Sequence, residues 1–293
     1  MPHSSETVAL AADGASATIA LCGAELLSWR VAGRELIWHG DPAHWPQRAP
    51  ILFPVVGASA GGAVRVEGRS YPMPRHGFAR DLPFGLVERR PDRARLRLRA
   101  TSGTLRHYPF RFELEVEAGL TADRLSLRFT VTNADDRPMP YGLGFHPGFP
   151  WPFDGGSPER YRLVFERPED AAVPDITAEG LLRPGLRRAP FAGRVLPLNP
   201  EMFEPGALVL QDISSRSVRF QAPGGSAIVV EPDGFRHLAL WTKPGAPFLC
   251  IEPWTGEPDT DGFSGELCER ASIRMLTAGT TAEHVVTMRF AER

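Results

Sequence analysis

Three stretches of strict alternation limit what this chain can fold into. Residues 94–100 read Ala-Arg-Leu-Arg-Leu-Arg-Ala, residues 110–118 read Phe-Arg-Phe-Glu-Leu-Glu-Val-Glu-Ala, and residues 124–132 read Arg-Leu-Ser-Leu-Arg-Phe-Thr-Val-Thr. Neighbouring side chains of an extended strand point to opposite faces, so each stretch offers one apolar face to a core and one charged face to water. Antiparallel sheets accept that arrangement, whereas parallel sheets bury both faces. Further strand candidates are 17–21, 25–31, 64–66, 161–165, 207–211, 217–221, 227–231, 237–242, 248–251 and 284–290. Turn signals separate them: Ala32-Gly33-Arg34, Glu67-Gly68-Arg69, Ala122-Asp123 and Pro223-Gly224-Gly225. No stretch offers three turns of apolar 3.6-residue spacing. The expectation is an all-β protein, a large antiparallel β-sandwich, with a barrel as the alternative.

A chain of 293 residues fits one such domain, since all-β sandwiches reach ~250 residues as single units. Residues 1–293 are therefore read as one domain. Two regions break the strand rhythm, 38–57 and 153–200, and are read as long loops that carry function or variation, with one plausible strand in the second. The hydrophobic fraction of 42% is ample for a core.

Charge and residue usage exclude several function classes. A formal net charge of -2 gives no bulk attraction to nucleic acid or to an anionic membrane. No apolar run approaches the ~20 residues of a membrane span, and no basic segment leads into an apolar one at the start, so a cytoplasmic protein is expected. Lys243 is the only lysine, in a turn before Pro244-Gly245, which leaves no Gly-Lys-Ser/Thr phosphate loop. Cys22, Cys250 and Cys268 form no CxxC pair and are too few and too scattered for a disulfide framework; Cys22 and Cys250 read as small buried hydrophobes. No two of the eight histidines have metal-binding i,i+4 spacing on a helix, and no metal is expected.

Chemistry concentrates in three segments. His146 lies in Tyr-Gly-Leu-Gly-Phe-His-Pro-Gly-Phe, residues 141–149, a ring flanked by glycine and aromatic side chains. A sugar wants that setting, because its C–H face packs on rings while its hydroxyls need polar partners. His76 follows Arg75 and precedes Gly77-Phe78-Ala79-Arg80-Asp81. Arginine forks there match carboxylate, phosphate or paired hydroxyls, or an ion pair between Arg80 and Asp81. Glu252 ends the apolar run 246–251 and is followed by Pro253-Trp254. A buried carboxylate there is pushed toward a neutral pKa, which suits a general base. Trp241 is a further candidate for sugar contact. Glu231 and Asp233 could join Glu252 as a glycosidase carboxylate pair. Asp259 and Asp261 lack the spacing of a calcium loop.

In order along the chain, Cys22-Gly-Ala-Glu-Leu-Leu-Ser28, Glu35-Leu-Ile-Trp38, residues 45–57 (Trp-Pro-Gln-Arg-Ala-Pro-Ile-Leu-Phe-Pro-Val-Val-Gly), His76-Gly-Phe-Ala-Arg80, Gly144-Phe-His-Pro-Gly-Phe149, Ile251-Glu-Pro-Trp-Thr-Gly256 and Leu276-Thr-Ala-Gly279 resemble the aldose 1-epimerase (galactose mutarotase) family, in its shorter bacterial branch. The resemblance implies a β-supersandwich that interconverts sugar anomers without a cofactor. It implies Glu252 as general base, His146 as general acid and His76 as a sugar-binding histidine. The family arginine after residue 57 is replaced by Ala58, so Arg48 or Arg75 is expected to take its part, with Arg80 beside them. Asp212, Glu204 and Asp233 are candidates for the family's sugar-binding aspartate. The expected partner is a small sugar or sugar phosphate, bound by a monomer or homodimer; a non-catalytic sugar-binding protein on the same scaffold is the alternative.

Overall fold

The three alternating stretches lie side by side. In the computed structural model, which describes residues 6–169, 172–189, 191 and 193–292, Arg93–Arg99 pairs antiparallel with Phe112–Leu120, which pairs with Arg124–Asn133. Burial follows the alternation: every second residue from Phe112 to Leu120 is buried. On the wet face the charges align across strands. Arg97 meets Glu113 and Glu115, Arg99 meets Glu113, and Arg128 meets Glu283. Each exposed pair is worth only ~0.2–1 kcal/mol, so these contacts fix register more than they stabilise.

These strands belong to a nine-stranded antiparallel sheet. Its edges are Gly193–Pro197 and Gly85–Arg89, and Thr281–Ala291 lies between Arg124–Asn133 and Ala227–Asp233. A six-stranded sheet carries Leu208–Leu210, His237–Trp241, Phe248–Trp254, Gly144–Phe145, Ile51–Leu52 and, beside Phe248–Trp254, Gly148–Pro150. A four-stranded sheet, Thr7–Ala12 to Arg34–Glu35, adds a further layer. One continuous core joins all three, drawing Leu10 and Trp29 from the four-stranded sheet, Leu114 and Phe129 from the nine-stranded sheet, and Leu249 and Ile251 from the six-stranded sheet. Helices among the described residues are single 3-10 turns, and none is long and apolar enough to cross a membrane.

Some expectations need correction. The region 153–200 holds Arg162–Glu169, Ala172–Val173, Arg187–Arg188 and Gly193–Pro197, several strands in place of one. The first and last of these extend the nine-stranded sheet, where a neighbour's ladder recruits segments that prolines make look loop-like. Thr7–Ala12 was not anticipated because alanine on its outward positions erases the hydropathy contrast, although burial there still alternates. Cys250 is buried, but Cys22 is only half-buried, with its sulfur 3.9 Å from the Arg80 carbonyl.

Candidate active site

Phe248–Trp254 is buried at every residue. Its odd and even positions still face different things. Leu249 and Ile251 join the main core, while Cys250 and Trp254 pack in separate clusters on the opposite face. Glu252 shares the parity of Cys250 and Trp254, so the carboxylate points away from the core.

His146 reaches it by register. The segment 144–150 runs antiparallel to this strand in two pieces, pairing Gly144 with Trp254 and Gly148 with Cys250. That register sets residue 146 opposite residue 252. His146-Pro147 interrupts the ladder at that point, and the imidazole leaves the sheet toward the carboxylate. Nε2 of His146 lies 3.1 Å from Oε2 of Glu252. Glu252 is 1% exposed and His146 8%.

His76 arrives from a loop. Its own φ is +68° and that of Gly77 is +73°, two successive left-handed residues. The Gly57 amide donates to His76 Nδ1 at 3.0 Å, and the His76 amide donates to the Gly57 carbonyl at 2.8 Å. With Nδ1 occupied as an acceptor, a neutral ring carries its proton on Nε2. The His76 and His146 rings stand nearly perpendicular, 5.8 Å apart.

Aromatic rings wall this group. Trp45 lies 4.9 Å from the His146 ring and 5.6 Å from Trp241, which is itself 5.7 Å from His146. Together with Trp254 these rings line a cavity of about 450 Å³ that His76, His146 and Glu252 also line. The size and the mixture of flat rings with a few buried polar groups suit a small ligand. Four polar atoms here, Nδ1 of His146, Oε2 of Glu252, Nε1 of Trp254 and Nε of Arg80, are buried and have no hydrogen-bond partner among the described residues. Buried polar atoms are seldom left so, and a polyhydroxylated ligand would supply partners.

Burial dominates the electrostatics. It pushes the Glu252 carboxyl well above 4.5, against a smaller downward pull from the Trp254 side chain. It pushes His146 down to about 3. It also holds His76 well below 6.5, helped by the charges of His146, Arg80 and Arg75. Both shifts favour the neutral forms, a protonated carboxyl beside an unprotonated imidazole, over the ion pair. One donor atom each from His146, Cys250 and Glu252 lie within 4.8 Å of one another. A soft divalent cation could use that set only once the thiol had ionised, and burial, followed by the Glu252 charge, keeps the Cys250 pKa well above 9.0.

The remaining candidates divide. Trp241, Arg75 and Arg80 line the cavity. Arg75 donates to the Glu179 carbonyl, and Arg80 to the Arg75 carbonyl at 2.9 Å and to Gln47 at 3.4 Å, with Asp81 at 3.9 Å. Arg48 turns away from the cavity: Nη1 donates to the Leu27 carbonyl at 2.7 Å, and the side chain packs on Gly40. Ala58 lines the cavity with no charged group of its own. Of the three acidic candidates only Glu204 reaches the lining, exposed at its rim. Asp212 forks with Arg236, and Asp233 ends a strand of the nine-stranded sheet. Trp45 and Trp254 were not singled out as binding residues, although Trp45 lies in the aperiodic stretch 38–57, where a functional loop is expected.

Comparison with known proteins finds relatives in both sequence and fold. A family model described as "Aldose 1-epimerase" matches residues 6–177. LacX (chromosomal) of Lactococcus lactis is 32% identical over 235 residues, covering 76% of this chain and 79% of LacX. The structure of a galactose mutarotase-like protein from Lactobacillus casei superimposes with a TM-score of 0.91 at 28% identity, over 98% of this chain and 100% of that one. A galactose mutarotase related enzyme from Lactobacillus acidophilus gives 0.89 at 25% identity, over 98% of each chain.

Proposed function

We propose that this chain, which belongs to the aldose 1-epimerase family, interconverts the α and β anomers of a small aldose by acid–base ring opening. The observation that carries the reading is the His146–Glu252 pair, 3.1 Å apart at the base of a tryptophan-walled cavity.

The pair needs one proton and returns it. With sugar bound, the reactive form is carboxylate beside imidazolium, reached by moving the shared proton across the 3.1 Å contact. Glu252 takes the proton of the anomeric hydroxyl as His146 gives its own to the ring oxygen. The C1–O5 bond breaks and a C1 carbonyl forms. Glu252 is then a neutral acid and His146 a neutral imidazole, the distribution that burial favours in this pocket. Burial thus favours the open-chain complex over the closed complex in its carboxylate–imidazolium form, a form that the neutral resting pair reaches only at a desolvation cost. Rotation about C1–C2 presents the other carbonyl face. Glu252 returns its proton to the carbonyl oxygen and His146 recovers one from O5 as the ring closes, which restores the starting pair. Nε2–H of His76 is the neutral donor for a sugar oxygen, and Trp45 and Trp241 offer flat apolar surface to the C–H face. Uncatalysed mutarotation already proceeds in water, and one acid and one base at ~10²–10⁴ each suffice to accelerate it. In this reading the protein works in the cytoplasm without a cofactor, on free aldoses before phosphorylated ones.

The test is polarimetry or saturation-transfer NMR on fresh α-D-glucose, α-D-galactose and glucose 6-phosphate. Faster equilibration that disappears in Glu252→Gln is the expected result. Sugar binding without acceleration would assign a binding function instead.

A further inference from the structure

Behind the cavity lies a second pair of charges that the reaction does not touch. Arg270 and Asp259 are each 4% exposed, and their Nε and Oδ1 atoms are 2.8 Å apart. A buried ion pair is a poor route to stability, since desolvation offsets most of the attraction. What this pair holds is informative. One guanidinium nitrogen of Arg270 donates to the carbonyls of Val56 at 3.0 Å and Ala58 at 2.9 Å. The other lies 3.4 Å from the Ser59 hydroxyl. Asp259 accepts from the Ala60 amide at 2.8 Å, and its own amide donates to the Ala58 carbonyl at 3.0 Å. Every residue of 56–60 except Gly57 is thus tied to the pair. Gly57 is the residue whose amide meets His76 Nδ1. Its φ of +71° and the closeness of Pro258, which a Cβ would meet at 2.2 Å, admit only glycine there.

We propose that Arg270 and Asp259 are positioning residues: they clamp the strap 56–60 so that the Gly57 amide faces His76 Nδ1, which selects the Nε2–H tautomer and aims it at bound sugar. Neither touches the ligand. The clamp acts through two carbonyls on either side of Gly57, and so sets the tilt of the peptide between Val56 and Gly57. If that peptide turned, its carbonyl would replace its N–H opposite the ring, and Nδ1 would have to carry the proton. The inference about sugar rests on the epimerase reading; the tautomer does not.

Long-range ¹H–¹⁵N NMR of histidine-labelled protein reads both ring nitrogens of His76 directly. In the wild-type protein Nδ1 is expected as a bare acceptor nitrogen and Nε2 as a protonated one; a protonated Nδ1 would overturn the proposal at once. In Arg270→Met, and in Arg270→Met with Asp259→Asn, which removes both charges should the single change leave Asp259 unpaired and the fold impaired, the two nitrogens are expected to move toward averaged values. Epimerisation should fall about 10²-fold, with Arg270→Lys intermediate. A folded variant that keeps the wild-type His76 signature would overturn the clamp whatever its activity. A wild-type protein that shows the expected tautomer and its loss in the variants but never epimerises sugar would uphold the clamp and sink the epimerase reading instead.

Discussion

Gly77 presses so closely on Phe53 that no side chain fits between them: a Cβ on Gly77 would lie 2.1 Å from the Phe53 carbonyl oxygen. The contact is backbone against backbone, reinforced by hydrogen bonds from Phe78 and Ala79 to that same carbonyl. It fixes the exit of the loop whose preceding residue is His76. Gly77→Ala should therefore cost more than the ~1–3 kcal/mol of a strained left-handed residue. Gly14→Ala, with φ of +83° and open space around it, reports the conformational part alone. Urea midpoints of the two variants measure the difference, and equal losses would show that the Phe53 contact yields without cost.

Acid should weaken the fold earlier than carboxylate titration alone would. His76, His146, His237 and His284 are all shifted downward by burial, His146 to about 3 and His237 to about 4. Unfolded histidines charge near pH 6.5 while these stay neutral, so the unfolded state binds more protons below that pH. Stability then falls as pH drops from 6.5 toward 4, by up to about 1.4 kcal/mol per pH unit for each histidine. Glu252, Glu257 and Asp259 act in the opposite sense, because burial raises their carboxyl pKa values and the native state keeps protons that the unfolded chain releases. The four histidines outnumber these three carboxyls. Urea unfolding at pH 7 and pH 5 should show the loss, and His237→Gln should shrink it.

Trp45→Leu keeps the pocket apolar and removes the flat ring. If Trp45 stacks on the sugar in ground and transition states alike, KM rises about tenfold with kcat little changed. Steady-state polarimetry over a range of sugar concentrations separates the two. A fall in kcat with KM unchanged would place the role of Trp45 in holding His146, 4.9 Å away.

The sheet was legible in the sequence wherever apolar and charged residues alternate, as in Phe112–Leu120. It was illegible where a strand exists because a neighbour pairs with it, as in Gly193–Pro197. His146, His76 and Glu252 stood out as polar groups in apolar or glycine-rich settings, and they do converge. Register explains the first pairing, and no local pattern could have supplied it, since it depends on residues more than one hundred positions apart. Arg48 misled for the complementary reason: its motif is local, but its Nη1 donates to the Leu27 carbonyl and its side chain packs on Gly40 instead of lining the cavity. Arg270 and Asp259 carry no motif at all. Their part follows only from the carbonyls and amides they meet.

The central place of Thr281–Ala291 in the nine-stranded sheet has a consequence for how the chain is made. Both of its neighbours, Arg124–Asn133 and Ala227–Asp233, precede it along the chain, one of them by about 150 residues. On the ribosome each of these two strands can pair with an earlier neighbour on one side, but its other edge emerges bare. The sheet can close only after residue 291 has left the exit tunnel. Non-local pairing of this kind is slow, and open edges invite pairing with other chains. The nascent protein therefore depends on the interval between the emergence of its first sheet strands and the arrival of its central one, the period in which a holding chaperone has most to protect.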